Sequence, residues 1–73
     1  MNLNVGVYNI ENNEIVAIMN PNPEGITLLT HVYSNDTEHA LFVKNVESDS
    51  IYIVTASKKF REVRNGITAL LSA

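Results

Sequence analysis

The chain has 73 residues, a formal net charge of −3, no cysteine and no tryptophan. That length admits one small domain, 1–73, whose core is too small to make a lone monomer more than marginally stable. Without cysteine there are no disulfides, no thiolate metal sites and no thiol nucleophile, so a partner subunit is the common remedy that remains. The opening Met1-Asn2-Leu3-Asn4 lacks the basic start and apolar run of a signal peptide. No stretch reaches the ~20 apolar residues that a membrane-spanning helix needs. A soluble, cytoplasmic protein with no membrane partner is therefore expected.

In chain order, Leu3–Ile10 alternates and is rich in β-branched residues, which predicts a strand. Glu11–Glu14 is a polar turn and Ile15–Met19 a second strand, broken by Asn20-Pro21-Asn22-Pro23, since proline cannot donate to a ladder. Residues 26–33 read two ways. Asn22 can cap a helix, Pro23 suits its first position, and Glu24 favours the positive end of the dipole. Yet the threonine, valine and tyrosine there also favour a strand. The helical reading is preferred because of an echo described below.

Leu41–Val46 and Ile51–Thr55 form a second hairpin around Glu47-Ser48-Asp49-Ser50. The last segment is helical. Ser57 is a candidate N-cap, and Phe60, Val63, Ile67, Leu70 and Leu71 fall on one face. Gly66 weakens that helix by roughly 1 kcal/mol relative to alanine.

The two halves echo each other. Val7, Asn9, Glu11 and Ile15 return 36 positions later as Val43, Asn45, Glu47 and Ile51, and Ile10 and Asn13 return conservatively as Val46 and Asp49. Gly25-Ile26-Thr27 returns 41 positions later as Gly66-Ile67-Thr68. The expected fold is α+β: an internally duplicated ββα-ββα chain, with a four-stranded, mainly antiparallel sheet and two helices. The repeat units are about 3–34 and 40–72.

Pairing across the hairpins puts Tyr8, Ile10, Ile15 and Ala17 on one face with Phe42, Lys44, Val46, Ile51 and Ile53. Val5, Val7, Val16, Ile18, Leu41, Val43, Tyr52 and Val54 occupy the other. Both faces are apolar. If both helices cover one of them, the other is an open patch, and such patches mark interaction surfaces. Tyr8, Ile10, Ile15, Phe42 and Ile53 are thus the candidate partner or oligomer interface. The alternative arrangement puts one helix on each face.

Charge is unevenly placed. Residues 58–64, KKFREVR, hold four of the five bases, whereas residues 1–57 hold seven of the eight acids. Bases at a helix start oppose the dipole. Lys58, Lys59, Arg61 and Arg64 are therefore candidate anion or ligand contacts, because helix-start amides with cations suit a phosphate. An acidic protein partner, or a solvated face, explains the same residues. A net acidic chain with four clustered bases is a thin footprint for nucleic acid, which is disfavoured.

Catalytic signals are weak. No G-x-S-x-G elbow, phosphate-binding loop or H-E-x-x-H is present. His31 and His39 read as surface residues, and Glu11 and Glu47 as turn residues that a pseudo-twofold would have to unite for acid–base work. The expectation is a non-enzyme with no catalytic residues, cofactor or metal. It would be a homo-oligomeric inhibitor, adaptor or regulator that binds itself and another protein. The alternative is a binder of a phosphorylated small ligand or nucleotide at residues 58–64.

Overall fold

The structure, a computed structural model, describes residues 3–19, 21–45, 47–48 and 50–72. The expected placements of Asn20, Val46 and Asp49 lie outside them. The elements are strand β1 (Leu3–Asn9), strand β2 (Glu14–Met19), helix α1 (Pro23–Tyr33), strand β3 (His39–Asn45), strand β4 (Ile51–Val54) and helix α2 (Phe60–Ser72). The strands form one sheet in the order β2-β1-β3-β4, and every neighbouring pair is antiparallel. The fold is α+β. No helix among the described residues is long and apolar enough to cross a membrane.

Residues 26–33 are helical, and the start of α1 shows why. The Asn22 side chain accepts the Gly25 N–H at 2.7 Å, Pro23 occupies the first turn, and Glu24 lies near the positive end of the dipole. At the far end, the Ser34 N–H bonds back to the Thr30 carbonyl at 3.0 Å. Helix α2 begins later than Ser57 suggests. The Val63 N–H reaches the Lys59 carbonyl at 2.9 Å, and Ser57 instead accepts the Lys59 N–H at 3.2 Å, ordering the turn before the helix.

One helix lies on each face of the sheet. Helix α2 covers Tyr8, Ala40, Phe42 and Ile53 with Val63 and Ile67, flanked by Ile10, Ile15, Ile51 and Leu71. Helix α1 covers Val5, Val7 and Leu41 with Ile26, Leu29 and Tyr33, flanked by Ala17, Met19, Val43 and Val54. The open face expected from the sequence is closed, because both faces are apolar and each takes a helix.

The face assignment also needs one correction. Val7 pairs with Ala17 but Tyr8 pairs with Ile15, so Val16 is an extra residue. This bulge turns Ala17 to the α1 side and Ile18, which pairs with Gly6, to the α2 side, the reverse of the faces expected for them, since a one-residue slip reverses every side chain beyond it.

Two glycines are required by close approaches on the α2 face. A Cβ at Gly6 would collide with the Phe42 ring, and one at Gly66 would collide with the Tyr8 hydroxyl. The helix-weakening Gly66 is thus what lets α2 settle onto the sheet over Tyr8.

The sequence echo survives only in part. Val7 and Val43 both face α1, and Ile15 and Ile51 both face α2. The helical echoes diverge: Ile26 packs on one face and Ile67 on the other. Because β1 and β3 are antiparallel neighbours, a rotation that exchanges the hairpins keeps the faces. It cannot also exchange two helices on opposite faces.

Candidate functional site

The residues expected at an open interface are in the α2 layer of the core. Tyr8 and Phe42 are 1% and 0% exposed, Ile53 is buried, and Ile10 and Ile15 are half-buried against the same cluster. Tyr8 contributes a polar link there. Its hydroxyl donates to Asn13 Oδ1 at 2.9 Å, and burial pushes its pKa up, which keeps the proton that makes this bond. Asn13 reaches that position from the β1–β2 turn with a φ of 57°, a left-handed conformation that asparagine tolerates better than most residues.

The basic segment sits at the start of α2, with Lys58, Lys59, Arg61 and Arg64 all exposed. Among the described residues none of the four makes an ion pair within 4.0 Å, whereas His39 and Asp36 do. Nor does any side chain among the described residues accept a hydrogen bond from the N–H of Phe60, Arg61 or Glu62. The start of α2 thus differs from that of α1 in lacking a side-chain cap, while each first turn carries one acid, Glu62 in α2 and Glu24 in α1.

Beside it lies an open cleft of about 420 Å³, lined by Ile10, Glu11, Thr37, Glu38, Ser57 and Lys59. A second hollow of about 240 Å³ adjoins it through Ile10 and Lys59 and reaches Tyr8, Asn13, Glu62 and Val63. The Lys59 ammonium therefore shares its surroundings with three carboxylates. Arg61 and Arg64 line neither hollow. The structure gathers the four bases on one helical start but draws only Lys59 into the cleft.

One polar cluster joins Asp36, Glu38 and His39, residues close in sequence. Asp36 Oδ1 accepts the N–H groups of Glu38 at 2.7 Å and His39 at 3.0 Å, and Oδ2 meets His39 Nδ1 at 3.2 Å. Partial burial would raise the Asp36 pKa, but the two amide bonds and the His39 ring hold it below the usual carboxylate value. Around it the Asp36 carbonyl takes the Ala56 N–H at 3.0 Å, and Thr55 Oγ1 donates to the His39 carbonyl at 3.0 Å. The cluster fastens the loop after α1 to the segment leading into α2. An aspartate two and three positions before the amides it accepts is a turn signature, so Asp36 was the available clue.

The remaining candidates do not converge. Glu11 follows β1 and Glu47 follows β3, and these strands are antiparallel, so the two carboxylates lie at opposite ends of the sheet. His31 is exposed on α1, while His39 is engaged with Asp36. No group of three or more His, Asp or Glu able to hold a metal ion occurs among the described residues.

Exposed apolar side chains sit elsewhere than expected: Val16 and Ile18 on edge strand β2, Leu28 and Val32 on α1, Tyr52 on edge strand β4, and Phe60 and Leu70 on α2. No family model, no curated protein and no solved structure matches this chain.

Proposed function

We propose that this chain is a non-enzymatic binding protein, homo-oligomeric and acting as an inhibitor, adaptor or regulator through protein–protein contacts. The observation that carries the reading is the outer flank of α1. That helix buries none of its residues completely, yet its apolar arc runs past the sheet to Leu28 and Val32, which are 68% and 59% exposed. A solvated helix has little use for two large apolar residues one turn apart on its outer side. A contact surface does. The surface therefore moves from the buried Tyr8–Phe42 face to the flank of α1 and the edge strand beside it. The test is solution mass by light scattering across a dilution series, followed by cross-linking in the host extract. A particle that stays monomeric and acquires no cross-linked partner overturns the reading.

A second reading has its own observation: the uncapped start of α2 with four unpaired cations. A phosphorylated small molecule or nucleotide would place its phosphate on the first-turn amides, flanked by Lys58, Lys59 and Arg61. Ligand binding to the folded state raises apparent stability by RT ln(1 + [L]/Kd). A thermal-shift panel of phosphate, nucleoside phosphates and sugar phosphates would show a rise for at least one member. A flat panel removes this reading and leaves the first untouched. We also read the sheet as a duplicated hairpin, supported by the echo that keeps Val7 with Val43 and Ile15 with Ile51 on common faces.

A further inference from the structure

We propose that a second copy of this chain docks across the outer edge of β2 on a twofold axis, with the two β2 strands pairing antiparallel about Ile18. The proposal rests on the binding reading above and names its surface.

The backbone of β2 points the way. The Ile10 N–H bonds to the Glu38 carbonyl at 3.0 Å, in register with the β1–β3 pairing. Bonded positions alternate along an antiparallel ladder, so even-numbered residues of β1 turn their backbone groups to β3 and odd-numbered ones to β2. Val5–Met19 and Val7–Ala17 are therefore the bonded pairs with β2. Ile18, between them, turns its N–H and C=O outward from the sheet. On a twofold axis it would donate to and accept from its own counterpart.

The side chains agree. Gly6 meets the Phe42 ring, which lies on the α2 side, and Ile18 pairs with Gly6. Ile18 therefore projects on the α2 side of the edge, where it is 61% exposed. Leu70 lies one helical turn beyond Gly66, the residue that faces Tyr8 of β1. Its flank of α2 thus looks toward β1 and β2.

On the opposite face, β2 and β3 run parallel, and for the α1 crossover between them we take the right-handed sense that nearly all such connections adopt. With Ile26, Leu29 and Tyr33 turned down to the sheet, that hand directs Leu28 and Val32 to the β2 side. Helix α1 makes its closest approach to β3, so the shelf over β2, where Ala17 and Met19 are half-buried, is only partly covered. Val16, Ile18, Leu28, Val32 and Leu70 thus frame one edge of the sheet from both faces.

Charge and area favour a copy of the chain as the occupant. Edge strands usually defend themselves with lysine or other charges, but β2 carries only Glu14 at its start. In an antiparallel pair about Ile18, Glu14 does not oppose its own copy. The chain exposes 4991 Å², whereas a compact monomer of 8.1 kDa exposes roughly 4,500 Å². The surplus, about 500 Å², is more than half of the ~800 Å² that each partner commits to a standard interface.

The test is light scattering of the full chain and three variants over a dilution series, with circular dichroism melts at matched dilution. The expected wild-type mass is twice 8.1 kDa. Ile18→Pro removes the outward N–H, which an edge strand tolerates, and Ile18→Lys places a charge on the seam. Both variants are expected to fold and to be monomeric, while Tyr52→Lys on the other edge stays dimeric. If Ile18→Pro fails to fold, Ile18→Lys decides. A wild-type dimer that survives the Ile18 variants, or that Tyr52→Lys breaks instead, overturns this interface and leaves the oligomeric reading standing. A wild-type monomer at every concentration overturns both.

Discussion

The two faces of the sheet are closed to different degrees. On the α2 side, Val63 and Ile67 are fully buried, and Gly6 and Gly66 give way to the Phe42 ring and the Tyr8 hydroxyl. On the α1 side no helical residue is fully buried, and Leu28 and Val32 are left more exposed than Phe60 and Leu70 of α2. The fitted face holds the fold together. The looser face has apolar surface to spare, and spare surface is what an interaction can use. The helix starts reverse the contrast: α1 is capped by Asn22, while α2 begins without a side-chain cap and among cations. Neither helix is optimised at both its packing face and its start.

The sharpest test of that asymmetry compares core truncations. Phe42→Ala empties a site with no exposure and is expected to cost about 3–5 kcal/mol. That rivals the whole stability of a small domain, so a variant unfolded at room temperature is the expected outcome. Leu29→Ala, on the half-buried α1 side, is expected to cost well under half as much, about 1–2 kcal/mol, since burial of that side chain is incomplete. Chemical denaturation of both variants would measure the difference, and equal losses would break the comparison.

Gly66→Ala is next in size. In an open helix the change is worth roughly 1 kcal/mol in favour of alanine. Here the new methyl meets the Tyr8 hydroxyl, so a net loss of about 1–3 kcal/mol is expected from overpacking. The double variant Gly66→Ala with Tyr8→Phe removes that oxygen and should recover part of the loss. A stabilising Gly66→Ala would show that α2 is not seated on Tyr8 as described. The helix starts supply a smaller pair of effects. Asn22→Ala removes the acceptor of the Gly25 N–H and is expected to cost about 1 kcal/mol. Ser57→Ala touches only the turn before α2 and should cost less than half of that. Thermal melts of the two variants side by side would expose any hidden cap on α2.

Much of this architecture was legible in the residues. Alternation in Leu3–Ile10 and the prolines after Met19 marked the first hairpin, and Asn22-Pro23-Glu24 marked a helix start that the strand-like composition of 26–33 obscured. What stayed hidden has a common cause. Pattern says which residues share a face but not which helix covers it, and with both faces apolar nothing local decides between stacking and sandwiching. The bulge at Val16 is set by how β2 meets β1, so the sequence of β2 alone does not carry it. Pattern therefore groups Tyr8 and Phe42 on one face but does not say that α2 buries them. Two local clues do point to the packing: glycine inside a strand at Gly6 and inside a helix at Gly66 both signal close approach. The basic segment was legible as a cluster, but its cleft was not, because Glu11 and Glu38 reach Lys59 only through the tertiary fold.

The Asp36 cluster ties the loop after α1 to the approach to α2, and its expected effect is small. Its carboxyl pKa is held below the ordinary 3.8, against the push of partial burial, by amides of Glu38 and His39 and by the His39 ring. A carboxylate whose folded pKa is depressed stabilises the fold fully above its unfolded value and loses that contribution as pH falls through the folded one. The loss therefore belongs to the acid side, below about pH 4. The Asp36 and His39 side chains are 28% and 30% exposed, so solvent screening keeps the ion-pair part to about 1 kcal/mol or less. Asp36→Asn keeps the shape and one acceptor oxygen but removes the charge. Melts from pH 2 to pH 7 should show the wild type losing its advantage over Asp36→Asn only at the acid end of that range. A constant difference across the range would mean that the turn geometry, and not the charge, is what ties the loop after α1 to the approach to α2.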